Sequence, residues 1–448
     1  MKLQSINPYT EEMMHEFDYI SVEEAMKAAK SLKENKEWPQ LDASDKIGAI
    51  KDVSKQLKKI VEEYARTISL EMGKPIKEAR AEIEKCAWLC DYFAENAEQF
   101  LEDEVIETEN RKSYITLDPL GVVLGVMPWN FPFWQVYRFA IPALIVGNRV
   151  VVKHSSNVPQ CALKIEESFG DLPYKNLFLP GKDVEKIIES PYVDAVSITG
   201  STAAGAKVAE AAGRHIKKTV LELGGSDPFI VLSDADLDAC CTTAISARLG
   251  NAGQSCISAK RFIVMDSIVN DFTELFVEKM KKLKMGDPLD ENTNIGPLAR
   301  NDLRLQLDDI VKRSVNKGAK IVIGGRIPSM KGFFYEPTIM TNITENMPVL
   351  KEETFGPVAP IIPVKNESEA IRIANSTEYG LGASIWTRNI EKAQQLAKRI
   401  EAGFVAINSQ VKSDPRLPFG GVKRSGYGRE LSKHALREFA NVKTVTIK

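Results

Sequence analysis

The sequence predicts an α/β protein of two successive domains, and three observations carry that prediction. From Gly121 onward, short β-branched runs alternate with helical segments, the pattern of a parallel sheet with crossover helices. After Gly224–Gly225 a second series of the same kind begins. The 448 residues give two or three domains at about 100–200 residues each, with ample chain for a large core.

The N-terminal hundred residues are helical in period, with Ile47, Ile50, Val53, Leu57, Ile60, Tyr64 and Ile68 spaced by three or four. Ser44 is the expected N-cap, and Gly73 with Pro75 the expected stop. The first α/β series has strand candidates at 121–127, 149–153, 177–179, 195–199 and 219–222. The second has them at 228–232, 261–264, 320–323, 358–364, 383–386 and 404–407. No repeat of 20 to 50 residues and no low-complexity tract interrupts them.

Composition narrows the function. Lys and Arg number 59 against 61 Asp and Glu, a net charge of −2 that calls for neither nucleic acid nor an anionic membrane surface. Six cysteines are too sparse for a disulfide framework, the first twenty residues lack a secretory apolar core, and no apolar run reaches membrane-spanning length. A cytoplasmic protein is expected.

The strand at 195–199 runs into Gly200-Ser-Thr-Ala-Ala-Gly205 and then an alanine-rich helix. Glycine at such a turn lets backbone N–H groups approach a pyrophosphate at a helix N-terminus. A nucleoside-triphosphate loop would need lysine directly after the second glycine, where Ala206 stands, and the Gly-x-Gly-x-x-Gly fingerprint is absent. A tight structural turn therefore competes with a phosphate site here.

Cys256 ends the polar loop Asn251-Ala-Gly-Gln-Ser-Cys256, where small residues leave the sulfur accessible. A loop thiol at the start of a helix can have a lowered pKa and act as a nucleophile. Cys86, Cys90, Cys161, Cys240 and Cys241 read as buried packing. No Cys-x-x-Cys pair exists and the four histidines are scattered, so no metal is expected. Glu222 lies between Leu221 and Leu223 at a strand end, where desolvation raises a carboxyl pKa toward that of a general base; a salt-bridged strand-end glutamate is the plainer alternative. Asn130, within Pro128-Trp129-Asn130-Phe131-Pro132, has an amide suited to an oxyanion.

Together and in this order these segments, with Glu353-Thr-Phe-Gly-Pro357 and Pro418-Phe-Gly-Gly421, resemble the aldehyde dehydrogenase superfamily from Asn7-Pro8 to the C-terminus. The resemblance implies a Rossmann-like nucleotide-binding domain (residues 1–100 and 120–224) and an α/β catalytic domain (225–424). It also implies a small β oligomerisation element (101–119 and 425–448) that makes a homo-oligomer, a dimer or a tetramer. It gives Cys256 as nucleophile, Glu222 as general base and Asn130 as oxyanion-hole amide. Glu353 would hold the nicotinamide ribose with Phe355 packed beside it, and Lys153 would contact the adenosine ribose. Gly200, Ser201 and Gly205 would form the pyrophosphate turn, with Trp129, Ser155, Ser156 and Leu223 completing the cofactor side.

Many NAD-preferring relatives read Lys-Pro-Ser-Glu where this chain has Lys153-His154-Ser155-Ser156. Without that glutamate a 2′-phosphate meets no like charge, so NADP is the expected cofactor, with NAD possible. The short N-terminus and Ser413-Asp414-Pro415-Arg416-Leu417-Pro418 look most like the bacterial and archaeal succinate-semialdehyde dehydrogenase branch. Pocket candidates are Trp134, Tyr137, Arg138 and Ser255 on one side of the motifs and Ile257, Lys412, Ser413 and Phe419 on the other. The basic ones could pair with a distal carboxylate. A distal arginine of some succinate-semialdehyde enzymes is replaced by Gly250. The expected reaction is oxidation of succinate semialdehyde to succinate through a cysteine thioester, hydrolysed rather than passed to coenzyme A. Short hydroxyaldehydes such as glyceraldehyde or lactaldehyde are the alternative substrates. A cysteine acyltransferase or hydrolase without a dinucleotide is the alternative class, though no histidine lies in a comparable loop; a non-catalytic scaffold would have lost Cys256 or Glu222, and both are present.

Overall fold

The computed structural model describes residues 2–448, and two parallel sheets organise it. The first has six strands in the order Gly426–Tyr427, Lys218–Glu222, Ala195–Thr199, Val122–Met127, Arg149–His154, Tyr174–Asn176, parallel except for the first. Its central strands are buried valine, leucine and isoleucine on both faces, as a sheet covered by helices on each side requires. The chain leaves Val122–Met127 to one side through Arg149–His154 and returns on the other through Ala195–Thr199. That reversal opens a crevice at the carboxyl ends of these strands, where ligands of open α/β sheets bind. Trp129, Asn130, Gly200 and Glu222 all fall there.

The second sheet runs Lys320–Ile323, Thr338–Thr341, Val358–Val364, Ala259–Met265, Asp227–Val231, Gly382–Trp386, Phe404–Ile407, parallel except for the first pair. Cys256 and Glu353 precede strands of this sheet, so they sit at its amino edge. A third sheet, antiparallel, joins Glu104–Ile106, Lys112–Pro119 and Ala440–Ile447.

One helix fixes much of the site. Trp134–Val146 is buried at every position, and its sequence is apolar around nearly its whole circumference, as a core helix must be. It packs on the long helix Ile76–Leu101 and on the first sheet. Phe139 from this helix fills the space over Gly125, where an added Cβ would stand 2.3 Å from the ring.

Several expectations need correction. Ser44 is not the N-cap: the helix Ala43–Lys59 starts two residues earlier than that cap implies, after Asp42. The apolar period then crosses a break at Ile60 into a second helix, Val61–Met72, which ends at Gly73 in the left-handed region (φ 81°), the expected stop. The N-terminal segment also holds an antiparallel pair, Leu3–Ile6 and Met13–Phe17, that its polar texture concealed. The run 177–179 is not a strand; pairing ends at Asn176, and Leu177 and Leu179 turn inward to pack near Val184 and Ile187. Thr338–Thr341 was not anticipated, its terminal threonines masking a short inserted strand. Of the expected C-terminal oligomerisation segment, Gly426–Tyr427 pairs with the first sheet and only Ala440–Ile447 with the third.

Gly125→Ala is expected to lower stability by about 1–3 kcal/mol, the usual cost of overpacking a closed core. Phe139→Leu in the same chain should recover part of the loss. Denaturant midpoints of the two variants check both statements.

Candidate functional site

The helix Leu237–Leu249 ends in a tight turn, Gly250–Gly253, in which Asn251 and Ala252 have φ of 55° and 52°. Non-glycine residues in this region are strained, so the surroundings must hold them. The Asn251 N–H donates to Glu78 Oε2 at 2.7 Å, and Asn251 Nδ2 donates to the Asn130 carbonyl at 2.8 Å. Gln254 Oε1 accepts from the Ala299 N–H at 2.9 Å. At Gly253 (φ 76°) a Cβ would lie 2.4 Å from the Gly356 carbonyl, so only glycine fits.

Cys256 follows, half-buried, in the turn between this loop and the strand Ala259–Met265. No helix begins at Cys256, so no helix dipole acidifies it, contrary to expectation. Burial pushes its thiol up to about 12, opposed by Arg138 and then Lys260, while Glu222 and Glu353 add to the rise. The Lys260 ammonium is buried and donates at 2.8 Å to each of three acceptors: the Gly225 carbonyl, the Cys256 carbonyl and Glu353 Oε1. It ties together the seam between the sheets, the cysteine turn and the glutamate expected on the cofactor.

Asn130 is held from every side. Its Nδ2 donates to the Gln254 carbonyl at 3.0 Å, its Oδ1 accepts from Gln135 Nε2 at 3.1 Å, and its carbonyl accepts from Lys74 Nζ at 2.9 Å. Lys74 pairs with Glu82 in a fully buried contact, and Glu82 Oε1 accepts the N–H groups of Phe133 and Trp134 at 2.9 and 3.1 Å. One Asn130 N–H is spent on Gln254, which leaves the other for a ligand oxygen.

Glu222 is buried, with neither carboxylate oxygen hydrogen-bonded within the protein. Burial first, and then the charge of Glu430, raises its pKa well above the usual carboxylate value, with Arg138 working in the opposite direction. Arg138 lies 3.8 Å from Glu222, forms a closer ion pair with Glu430, donates to Thr199 Oγ1 at 3.0 Å and covers the Phe419 ring at 5.0 Å. Its charge is thus already matched by protein carboxylates.

A cavity of about 340 Å³ opens on Cys256. Of the expected pocket residues, Trp134, Arg138, Ser255 and Ile257 line it, as do Lys412, Ser413 and Phe419. Tyr137 does not: it points into the core, stacked 4.9 Å from Phe169 and bonded to Ser168. The helix turns about 100° per residue, which puts Trp134, Arg138 and the cavity-lining Gln135 within one arc of about 100° and Tyr137 outside it. Glu78, Lys85, Phe131, Gln135 and Gln410 also line the cavity and were missed. The spacing of Glu78, Glu82 and Lys85 places them on one helix face and was the available signal.

On the cofactor side, Lys153 is largely buried at the end of its strand, forms no ion pair with a described residue, and has its pKa lowered by desolvation. Such a cation suits a ligand anion. His154 is neutral: burial takes its pKa to about 4, its Nε2 reaches the Pro132 carbonyl at 2.9 Å, and its Nδ1 accepts from the Ser155 N–H at 2.8 Å. Ser155 donates to Asn157 Oδ1 at 2.7 Å, and Ser156 is exposed beside it. Ser201 caps the helix Thr202–Arg214, its hydroxyl accepting from the Ala204 N–H at 3.2 Å. A Cβ on Gly205 would come 2.4 Å from Leu223, so the helix can lie this close to the turn only with glycine there. Phe355 stands edge-on to Trp129 at 5.8 Å. An unpaired cation, a capped helix start and a carboxylate at Glu353 fit a dinucleotide. Among the described residues, no cluster of three or more His, Cys, Asp or Glu is placed to hold a metal ion, and no helix is long and apolar enough to cross a membrane.

The aldehyde dehydrogenase family model matches residues 1–445. The chain is 49% identical over 391 residues, 86% of each chain, to a probable succinate-semialdehyde dehydrogenase [NADP(+)] of Synechocystis. It is 42% identical over 447 residues to the succinate-semialdehyde dehydrogenase [NADP(+)] of Deinococcus radiodurans, covering 98% of this chain and 94% of that one. The crystal structure of succinic semialdehyde dehydrogenase from Streptococcus pyogenes in complex with NADP+ superposes with a TM-score of 0.96 at 39% identity, over 99% of both chains. With these likenesses across its length, the chain belongs to the aldehyde dehydrogenase family.

Proposed function

We infer that the protein oxidises succinate semialdehyde to succinate with NADP, through a covalent intermediate on Cys256. The observation that carries the reading is the hydrogen bond from Asn130 Nδ2 to the Gln254 carbonyl, which ties a fixed amide to the loop that ends at Cys256. The names of the relatives and the NADP+ complex of the Streptococcus pyogenes enzyme supply the substrate and the cofactor.

In this reading Arg138 and Lys260 favour the Cys256 thiolate, which adds to the aldehyde carbon. The free N–H of Asn130 and the backbone N–H of Cys256 hold the oxyanion that forms. The nicotinamide, when bound, supplies the hydride acceptor that converts the thiohemiacetal to a thioester. Glu222, raised in pKa by burial, takes a proton from the water that hydrolyses the thioester. Lys153 and Ser156 would face the adenosine ribose and its 2′-phosphate, Glu353 the nicotinamide ribose, and the turn at Gly200, Ser201 and Gly205 the pyrophosphate. Nucleotide binding thus falls mainly to the first sheet, with Glu353 added from the second, and catalysis to both, with Asn130 and Glu222 from the first and Cys256 from the second.

We extend the reading to a cytoplasmic homo-oligomer paired through the third sheet. Free thiols at all six cysteines and exposed Val105, Val442 and Ile447 on that sheet support it.

Steady-state kinetics with succinate semialdehyde, glyceraldehyde and lactaldehyde, each with NADP and NAD, test the reading; succinate semialdehyde with NADP should give the highest kcat/KM. Cys256→Ala should abolish turnover and keep NADP binding in a fluorescence titration, since the thiol forms the covalent bond but does not hold the cofactor. Glu222→Gln should keep a pre-steady-state burst of NADPH while steady-state turnover falls by about 100-fold or more. Ser156→Glu should cut kcat/KM for NADP by at least about tenfold, because a carboxylate near the 2′-phosphate adds like-charge repulsion, and NAD should lose less. An equal loss with both cofactors would mean that Ser156 acts through packing alone.

A further inference from the structure

The cavity over Cys256 carries three cations, Arg138, Lys412 and Lys85, and they differ in what already balances them. Arg138 is paired closely with Glu430, with Glu222 3.8 Å away. Lys412 is exposed, so water screens it. Lys85 is half-buried on the helix Ile76–Leu101, yet among the described residues no carboxylate lies within ion-pair distance of its ammonium. It is instead steered by uncharged groups. Its Nζ donates to Ser413 Oγ at 2.7 Å and stands 4.2 Å over the Trp134 ring.

An ammonium partly withdrawn from water and left without a counter-ion is costly unless a bound anion supplies the missing charge. The nearby acids are engaged elsewhere: Glu82 with Lys74, Asp414 with Arg416, and Glu78 with the Asn251 N–H. We propose that Lys85, with the Ser413 hydroxyl, binds the terminal carboxylate of the aldehyde substrate and thereby sets the preference for ω-carboxylated over neutral short aldehydes. The assignment rests on the reading of the substrate as succinate semialdehyde. It gives the role left vacant at Gly250 to a residue on a different helix.

The anchor also carries a pH signature. Burial holds Lys85 down to about 8, with Lys412 and Arg138 acting in the same direction and Cys86 and Asp414 in the other. Only the ammonium attracts a carboxylate, so preference for the carboxylated substrate should weaken as pH rises through and above about 8.

The test compares kcat/KM for succinate semialdehyde and butyraldehyde in wild type, Lys85→Met and Lys85→Arg, together with calorimetric binding of succinate, which needs no turnover. Methionine keeps the unbranched stem against Trp134 and removes the charge. Wild type should prefer succinate semialdehyde. Lys85→Met should lower the ratio of the two kcat/KM values by at least about tenfold, mainly through KM, and weaken succinate binding by a similar factor, whereas Lys85→Arg should restore most of both. A wild-type enzyme with no preference would overturn the substrate reading and this assignment together. A wild-type preference that survives unchanged in Lys85→Met, with succinate binding also unchanged, would overturn the assignment of Lys85 alone.

Discussion

The catalytic arrangement depends on a buried charge pair that never touches the reacting atoms. Lys74 and Glu82, both withdrawn from water, hold the two ends of the Asn130 turn: the ammonium takes the Asn130 carbonyl, and the carboxylate takes the next helix's first free N–H groups. The pair satisfies the orphan donors at the start of Trp134–Val146 and orients the amide in one stroke. Breaking such a pair by removing one partner typically costs about 3–5 kcal/mol, because the survivor is left charged and unmatched. From Asn130 the network passes through the Gln254 carbonyl and Asn251 to the strained turn that presents Cys256. The strain is sustained because Glu78, Asn130 and Ala299 all hold the loop.

A second buried ammonium acts across the other side of the same cysteine. Lys260 joins two main-chain carbonyls and Glu353, so the Cys256 turn and Glu353, proposed as nucleophile and nicotinamide-ribose ligand, share one tether. In a cleft where burial alone would keep the thiol protonated, Lys260 and Arg138 are the groups that favour its ionisation. The site therefore combines desolvation, which suits Glu222 as a base, with local positive charge, which suits Cys256 as a nucleophile.

The parts legible in the sequence were those where chemistry and turn geometry coincide. Glu222 ends a strand and Cys256 and Asn130 lie in turns between elements, each within a short motif, and strand runs such as Ala195–Thr199 and Val358–Val364 are largely apolar and buried. Lys74 and Lys260 were not legible, and for Lys85 the one signal was its helical spacing from Glu78 and Glu82. A lysine on an amphipathic helix or strand reads as a solvated face, and only the packing of Ile76–Leu101 against Trp134–Val146 turns Glu82 and Lys85 inward. Tyr137 failed for the converse reason: proximity in sequence to Trp134 and Arg138 says nothing about which side of a wholly buried helix a residue occupies.

The wholly buried helix Trp134–Val146 divides the substrate cavity into two walls of unequal adaptability. One wall, carrying Trp134, Gln135 and Arg138, is locked to the core on every side, so a change of shape there must be absorbed by the first sheet. The opposite wall, made by Lys85 and by the segment Gln410–Ser413, meets solvent at Lys412, where the side chain can change without disturbing the core. Diversification of aldehyde range on this scaffold is thereby channelled to the outer wall, while the inner wall preserves the alignment of the oxyanion donor.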